Sequence, residues 1–277
     1  MIRRPQKASP PVLQRYESKF AIPEHMVKPI SDFASVYCSL DKYSAKTADN
    51  FYRVNNLYFD TPNYLFLMRR IDGSVNRFNM RVRTYSDASA LPCYFEIKQR
   101  NVNIIKKYRA VVHDQDWPGM FEDPGHMLHK ENGSQSYSNK TLFFMMAYAH
   151  HAAPKVLSQY MRKAYVSDVD DYGRVTFDRD LRYQAAEGYN LVPDENKMVS
   201  LDHEALFDPE CNVVLELKCY TAQVPLWMID LIRYFNLRRR SFSKYVTGVV
   251  NVISCYKYDS GFRHAAAGLT QFAALTE

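Results

Sequence analysis

Along five stretches of the chain, charged and apolar residues alternate one for one. Arg15, Glu17 and Lys19 do so in RYESKF, and Arg81 and Arg83 in NMRVRTY. Glu96, Lys98 and Arg100 follow in FEIKQR, Lys107 and Arg109 in IIKKYRAVV, and Glu216 and Lys218 in VVLELKCY. A β-strand sends residues i and i+2 to the same face, so each stretch places its charges on one side of a sheet. Phe78, Met80, Val82, Phe95, Ile97, Val213, Leu215 and Leu217 fill the other side. The pattern predicts strands near 14–22, 54–60, 75–85, 93–100, 104–113, 156–167, 173–180 and 212–220. Helices are predicted from Pro23 to about Cys38, from Pro62 to Ile71 behind an Asp60 or Thr61 cap, over 140–151, over 225–236, and from about Ser243. The apolar sheet face needs a cover, which the helices at 23–38, 62–71, 140–151 and 225–236 can supply. Helices outside and charges inside predict an α+β fold: a closed antiparallel β-barrel with helices packed on the outside and a polar, wet lumen. One domain over 14–256 is expected, between a flexible lead at 1–13 and a tail at 257–277.

Composition narrows this picture in a few places. Tyr (21) and Phe (16) outnumber Gly (9), which favours a strand-rich fold without glycine-rich phosphate loops. The net charge of +6 is mild, so the placement of the cations carries the information and not their sum. The five cysteines, Cys38, Cys93, Cys211, Cys219 and Cys255, are scattered and show no zinc-type spacing; reduced, buried thiols in a cytoplasmic protein are expected. The start, MIRRPQKASPPVLQ, has no apolar core of a secretory signal, and no apolar run is long enough to span a membrane.

If the strands share one sheet, a single face carries Glu17, Lys19, Arg81, Arg83, Glu96, Lys98, Lys107, Arg109, Arg162, Arg174, Asp178, Glu216 and Lys218. Any one strand bearing such residues can simply face water. Several together describe an interior that solvent and an incoming polyanion must compensate. Arginine offers planar forks matched to phosphate oxygens, and lysine offers compact point charges. Some carboxylates serve to hold arginines in place, and one or two suit a hard divalent cation bridging phosphates, Mg²⁺ or Mn²⁺. Nucleic acid is not expected as a partner, because stacking platforms need aromatics on the basic face and most strand aromatics fall on the apolar one. No P-loop, kinase signature or nucleophile elbow occurs. His126, His129, His150 and His151 have no partnered ligand set, so surface or core roles are expected for them. Lys244, at the start of a predicted helix, suits phosphate, while Arg238, Arg239 and Arg240 read as a solvated charge run.

The ordered series R-x-E-x-K-F (15–20), LYFDT (57–61), R-V-R (81–83), FEIK (95–98), KYR (107–109), Arg162 in YMRKAY, RVTFD (174–178), LELK (215–218) and FSKY-x-x-G (242–248) resembles the VTC domain. This is the polyphosphate polymerase domain of the triphosphate tunnel metalloenzyme superfamily, here in the manner of its soluble bacterial form. Members of the wider superfamily often open with E-x-E-x-K, and Arg15 at the first position resembles the VTC branch. The resemblance implies that Lys19, Arg81, Arg83, Lys98, Lys107, Arg162, Arg174 and Lys244 bind phosphate and that Glu216 binds the metal, Mn²⁺ or Mg²⁺. Arg109 and Lys218, on the same face, join the phosphate-binding set, whereas Glu17 and Glu96 receive no role. Catalysis falls on Lys19, Arg81, Arg83, Lys98, Glu216 and Lys244. The implied reaction moves the γ-phosphate of a nucleoside triphosphate, ATP first among them, onto phosphate or polyphosphate. A hydrolase using the same tunnel and a non-catalytic polyphosphate-binding module remain alternatives.

Overall fold

The computed structural model describes residues 15–85, 91–101, 104–113, 115–122, 135–200, 212–220 and 224–253. The predicted lead at 1–13 and tail at 257–277 lie outside these, as do His126, His129, Cys211 and Cys255. In chain order the strands are β1 (Arg15–Ile22), β2 (Cys38–Leu40), β3 (Tyr52–Asp60), β4 (Asn76–Thr84), β5 (Cys93–Asn101), β6 (Ile104–Val112), β7 (Ala153–Ser167), β8 (Gly173–Ala185), β9 (Val199–Ser200) and β10 (Val213–Tyr220). The helices are α1 (Val27–Ala34), α2 (Leu65–Ile71), α3 (Gln135–Ala149), α4 (Leu226–Tyr234) and α5 (Lys244–Ile253). The alternating stretches all became strands. The predicted helix over 23–38 is shorter, because Cys38–Leu40 leaves it to pair with β7.

The main sheet runs β1-β10-β8-β7-β3-β4-β5-β6, with every pairing antiparallel. It is not closed, which corrects the expected barrel. The reason lies at the free edge of β1. Phe20 bridges to Arg239, the Arg240 amide donates to the Lys19 carbonyl, and the Lys19 ammonium donates to the Phe242 carbonyl. The segment 239–242 thus occupies the β1 edge at Lys19 and Phe20, where β6 would have to pair for closure. Side chains still reach across the gap, since Lys98 of β5 pairs with Glu17 of β1 at 2.7 Å.

Two apolar layers cover the convex face. Leu57, Met80, Val82 and Phe95 pack under Phe143, Phe144 and Ala147 of α3, while Phe20, Phe177 and Leu215 pack with Ile30 of α1 and Met228 and Leu231 of α4. A third cluster sits on the concave face and corrects the expectation that helices lie only outside. Tyr245, Val249 and Val252 of α5 pack there against Val156 and Tyr160 of β7, Leu181 and Tyr183 of β8, and Val214 of β10. Burying that apolar stripe fills one part of the interior, so the lumen is not polar throughout. Gly248 permits the approach: a Cβ on it would lie 2.4 Å from the Tyr183 ring. A bulge makes the receiving wall. Pairing of β7 with β8 shifts register between Gln159 and Met161, and Asp180 takes φ +52°. The shift turns Leu181 and Tyr183 inward where strict alternation from Asp178 would turn Asp180 and Arg182.

Asp60 fastens α2 and α5 at this point. Its carboxylate accepts the backbone N–H groups of Thr61, Phe66 and Leu67 and the Tyr245 hydroxyl, while Thr61 Oγ1 accepts the Leu65 N–H. Both predicted caps therefore engage the first turn of α2, with Tyr64 in the left-handed region at φ +54°. His150 packs its ring against Phe66 and Phe78, a core role, and Cys38, Cys93 and Cys219 are buried thiols.

Candidate functional site

The concave faces of β1, β3–β8 and β10, together with the start of α5, enclose a cavity of about 1950 Å³. Lys19, Arg81, Arg83, Lys98, Lys107, Arg109, Arg162, Arg174, Glu216, Lys218 and Lys244 all line it. They converge because the ladders set charges in rows. Tyr58, Arg81, Glu96 and Arg109 stand directly across from one another on β3 to β6, and Lys19, Glu216 and Thr176 do so on β1, β10 and β8. Residues so paired have side chains close enough for a direct ionic contact.

Three buried carboxylates, Glu96, Glu216 and Asp178, gather cations. Glu96, which the sequence left without a role, receives Arg81 (2.7 and 2.8 Å), Lys107 (2.7 Å), Arg109 (3.4 Å) and Arg83 (3.9 Å). Burial alone would raise its pKa, but Arg81, Arg83 and Lys107 outweigh that and hold it well below the usual carboxylate range. Glu216 receives Lys218 (2.5 Å), Lys19 (3.3 Å) and Lys244 (3.7 Å), with the same outcome. Asp178 takes a two-pronged bond from Arg162 (2.6 and 2.7 Å) and a contact from Lys244 (2.6 Å). Burial pushes the Glu17 carboxyl up, and Lys98 with Lys218 brings it down to about 2. Burial pulls Lys107 down to about 8 despite Glu96, with Arg81 and Arg83 adding repulsion. On Lys244, burial is outweighed by Asp178 and Glu216, so its pKa is raised. Arg174 stands apart from these hubs, paired with Asp41 at 3.2 Å.

Sequence reasoning missed the tyrosines. The phenylalanines of the strands turn outward as expected, but Tyr52, Tyr58, Tyr85, Tyr94 and Tyr160 line the basic cavity. Arg81 donates to the Tyr58 hydroxyl, and Arg83 donates to Asn56 and the Tyr160 hydroxyl. The ladder parity of Tyr52, Tyr58, Tyr94 and Tyr160 is the signal that could have found them. Also missed were Arg70 and Arg77, which line the cavity; burial and then the Arg100 charge lower the pKa of Arg70, and burial with repulsion from Arg70 and Arg100 lowers that of Arg77. Arg239 and Arg240 are exposed, as a solvated charge run should be, yet they too line the cavity.

Among the described residues no three His, Cys, Asp or Glu side chains form a group able to hold a metal. Mg²⁺ commonly takes one or two carboxylates and fills its remaining positions with substrate phosphates and water. Glu216 and Glu17, on adjacent strands, offer that smaller donor set. Thr176, opposite Glu216 in the ladder, adds a buried hydroxyl oxygen with no hydrogen-bond partner.

Among solved structures, a Bacillus halodurans protein provisionally named an adenylate cyclase is similar at TM-score 0.47 and 10% identity, covering 83% of this chain and 94% of its own. A protein from Pyrococcus horikoshii OT3 is similar at TM-score 0.39 and 9% identity, again over 83% of this chain and 94% of its own. The curated proteins gave no match. The model of the VTC domain matches residues 14–253, the stretch that contains every strand and helix lining the cavity. On that match, the chain belongs to the VTC-domain family.

Proposed function

We propose that the chain is a phosphotransferase that moves the γ-phosphate of a nucleoside triphosphate onto phosphate or the end of a polyphosphate. The observation carrying this reading is the convergence of cations from separate strands and from α5 on one cavity, most of them held by the buried carboxylates Glu96, Glu216 and Asp178. Such a wall is preorganised: its charges are in place before a ligand arrives, so little rearrangement is needed when charge redistributes. The acceptor's terminal phosphate oxygen is already an anion near neutral pH and needs no general base. It attacks the γ-phosphorus, and the bridging bond to the β-phosphate breaks. The nucleoside diphosphate leaves with the electron pair, and the chain is longer by one phosphate.

In this reading the arginines on β4 and Arg162 on β7 hold non-bridging oxygens through their forks, which positions the reacting groups in line. Lys19, Lys98, Lys107, Lys218 and Lys244 neutralise the phosphates as point charges. Glu216, with Glu17 beside it, would hold a divalent ion, which when bound adds charge neutralisation between phosphates.

Incubation of the pure protein with ATP, Mn²⁺ or Mg²⁺ and a short polyphosphate primer, resolved on a gel, is the test. Primer lengthening with matching release of ADP is expected. Release of free phosphate with no lengthening would replace the transferase with a hydrolase. Binding of polyphosphate without turnover of any nucleotide or metal combination would leave a binding module.

A further inference from the structure

We propose that Tyr43, Tyr52, Tyr85 and Tyr94 form a stacking site for the flat base of the nucleoside triphosphate, so that the cavity recognises a nucleotide and not its phosphates alone. The inference rests on the phosphate reading of the same cavity and adds a second ligand group to it. The four rings make one cluster on the cavity wall, with centroids 4.6 Å apart for Tyr43 and Tyr85, 5.3 Å for Tyr43 and Tyr52 and for Tyr85 and Tyr94, and 5.9 Å for Tyr52 and Tyr85. They are fixed at their rims. The Tyr52 hydroxyl donates to Asp41, and the hydroxyls of Tyr43 and Tyr94 share a bond of 3.3 Å.

One ring already carries a flat group. The Arg109 guanidinium carbon lies 3.9 Å from the Tyr94 centroid, and its side chain is 38% exposed. A planar π-system therefore fits against that face; a base taking it would displace Arg109, which now donates to the Tyr85 hydroxyl at 3.2 Å, onto the base's far side. Aromatic and guanidinium planes both stack on bases.

Placement relative to the cations agrees. Tyr94 stands directly across from Arg83 in the ladder, and Tyr85 follows Arg83 by two residues. Four residues of strand separate Tyr85 from Arg81, about 13 Å at the usual rise, which suits a base at one end and an extended triphosphate running along the arginines. The ligand class is a nucleoside triphosphate bound lengthwise, base on the tyrosines.

Calorimetric titration of the purified protein with ATP and with inorganic tripolyphosphate, in one Mg²⁺ buffer, tests this. Replacing Tyr94→Leu or Tyr43→Leu should weaken ATP by about tenfold or more, the scale of one base stack, while tripolyphosphate stays within about twofold. Tyr94→Phe keeps the ring and should bind ATP within about twofold of the parent. Unchanged ATP affinity in both leucine variants overturns the base site, as does an equal loss for the two ligands in both. A parent that binds tripolyphosphate but not ATP also overturns it and leaves the phosphate reading standing. A parent that binds neither overturns the phosphate reading and the base site with it.

Discussion

On the β4–β5–β6 wall a single carboxylate, Glu96, faces Arg81, Arg83, Lys107 and Arg109, whereas on the β1–β10–β8–β7 wall Glu216 and Asp178 share Lys19, Lys218, Lys244 and Arg162. The first wall is rich in arginine and short of counter-charge; the second is rich in lysine and better balanced. An arginine fork fixes its oxygen partner in direction, while an ammonium on a four-carbon stem can swing from a carboxylate to a phosphate. Glu96 is thus locked as the keystone of its wall. Glu216 can be released by its lysines when they find phosphate, and this makes it the carboxylate fitted to a metal in the proposed reaction. Two buried glutamates, both held well below the ordinary carboxylate range, are thus set apart by which cations hold them.

The largest effect that would break this contrast is on stability. Glu96→Gln leaves a crowded set of cations without their carboxylate, and unfolding in urea should show a loss of about 3–5 kcal/mol. Glu216→Gln should lose clearly less, because Lys19 also bonds the Phe242 carbonyl and Lys244 keeps Asp178. Equal losses would show that the walls are equivalent. The second effect is on turnover: Glu216→Gln should slow nucleotide consumption by about a hundredfold, the scale of one lost transition-state contact, while tripolyphosphate binding changes little. Third comes the plug. Gly248→Ala pushes α5 off Tyr183, with a cost of about 1–3 kcal/mol for overpacking. It should loosen Lys244 from Asp178 and weaken phosphate binding through the lysine wall alone. A Tyr183→Ala background, which clears the space, should restore much of the loss.

Much of the two walls is legible in the sequence. Between Lys19 and Lys244, all the residues named from alternation and family resemblance except the fully buried Asp178 line the cavity, because a two-residue period is a local property that survives folding. What was not legible depends on contacts distant in sequence. Whether the edge of β1 meets β6 or the segment 239–242 is decided by chain path, and that decided against closure. The apolar stripe of α5 reads the same whether it covers a sheet from outside or plugs it from within. The bulge beside Asp180 flips parity where the text alternates smoothly. Glu96 stood in the sequence as one carboxylate among several, and only the register with Arg81 and Arg109 makes it a hub.

The smallest predicted effect is a pH response confined to the arginine wall. Lys107 is held at about 8 by burial, against an ordinary value of 10.5, while Lys244 on the other wall is raised. Between pH 7 and 9 the first lysine therefore loses its proton and the second keeps it. Tripolyphosphate affinity should fall as the pH rises through 8, by no more than about tenfold per unit, since one proton is involved. Stability moves the other way. Between the folded and unfolded values of Lys107 the unfolded chain holds a proton that the folded chain lacks, so this group's contribution to stability rises with pH across that window. Lys107→Arg keeps the charge throughout and should flatten both responses, and comparison with the parent at each pH removes the ligand's own titration. A parent whose affinity and stability rise together, or a variant that keeps the parent's slope, would move the titrating group off Lys107 and out of the Glu96 cluster.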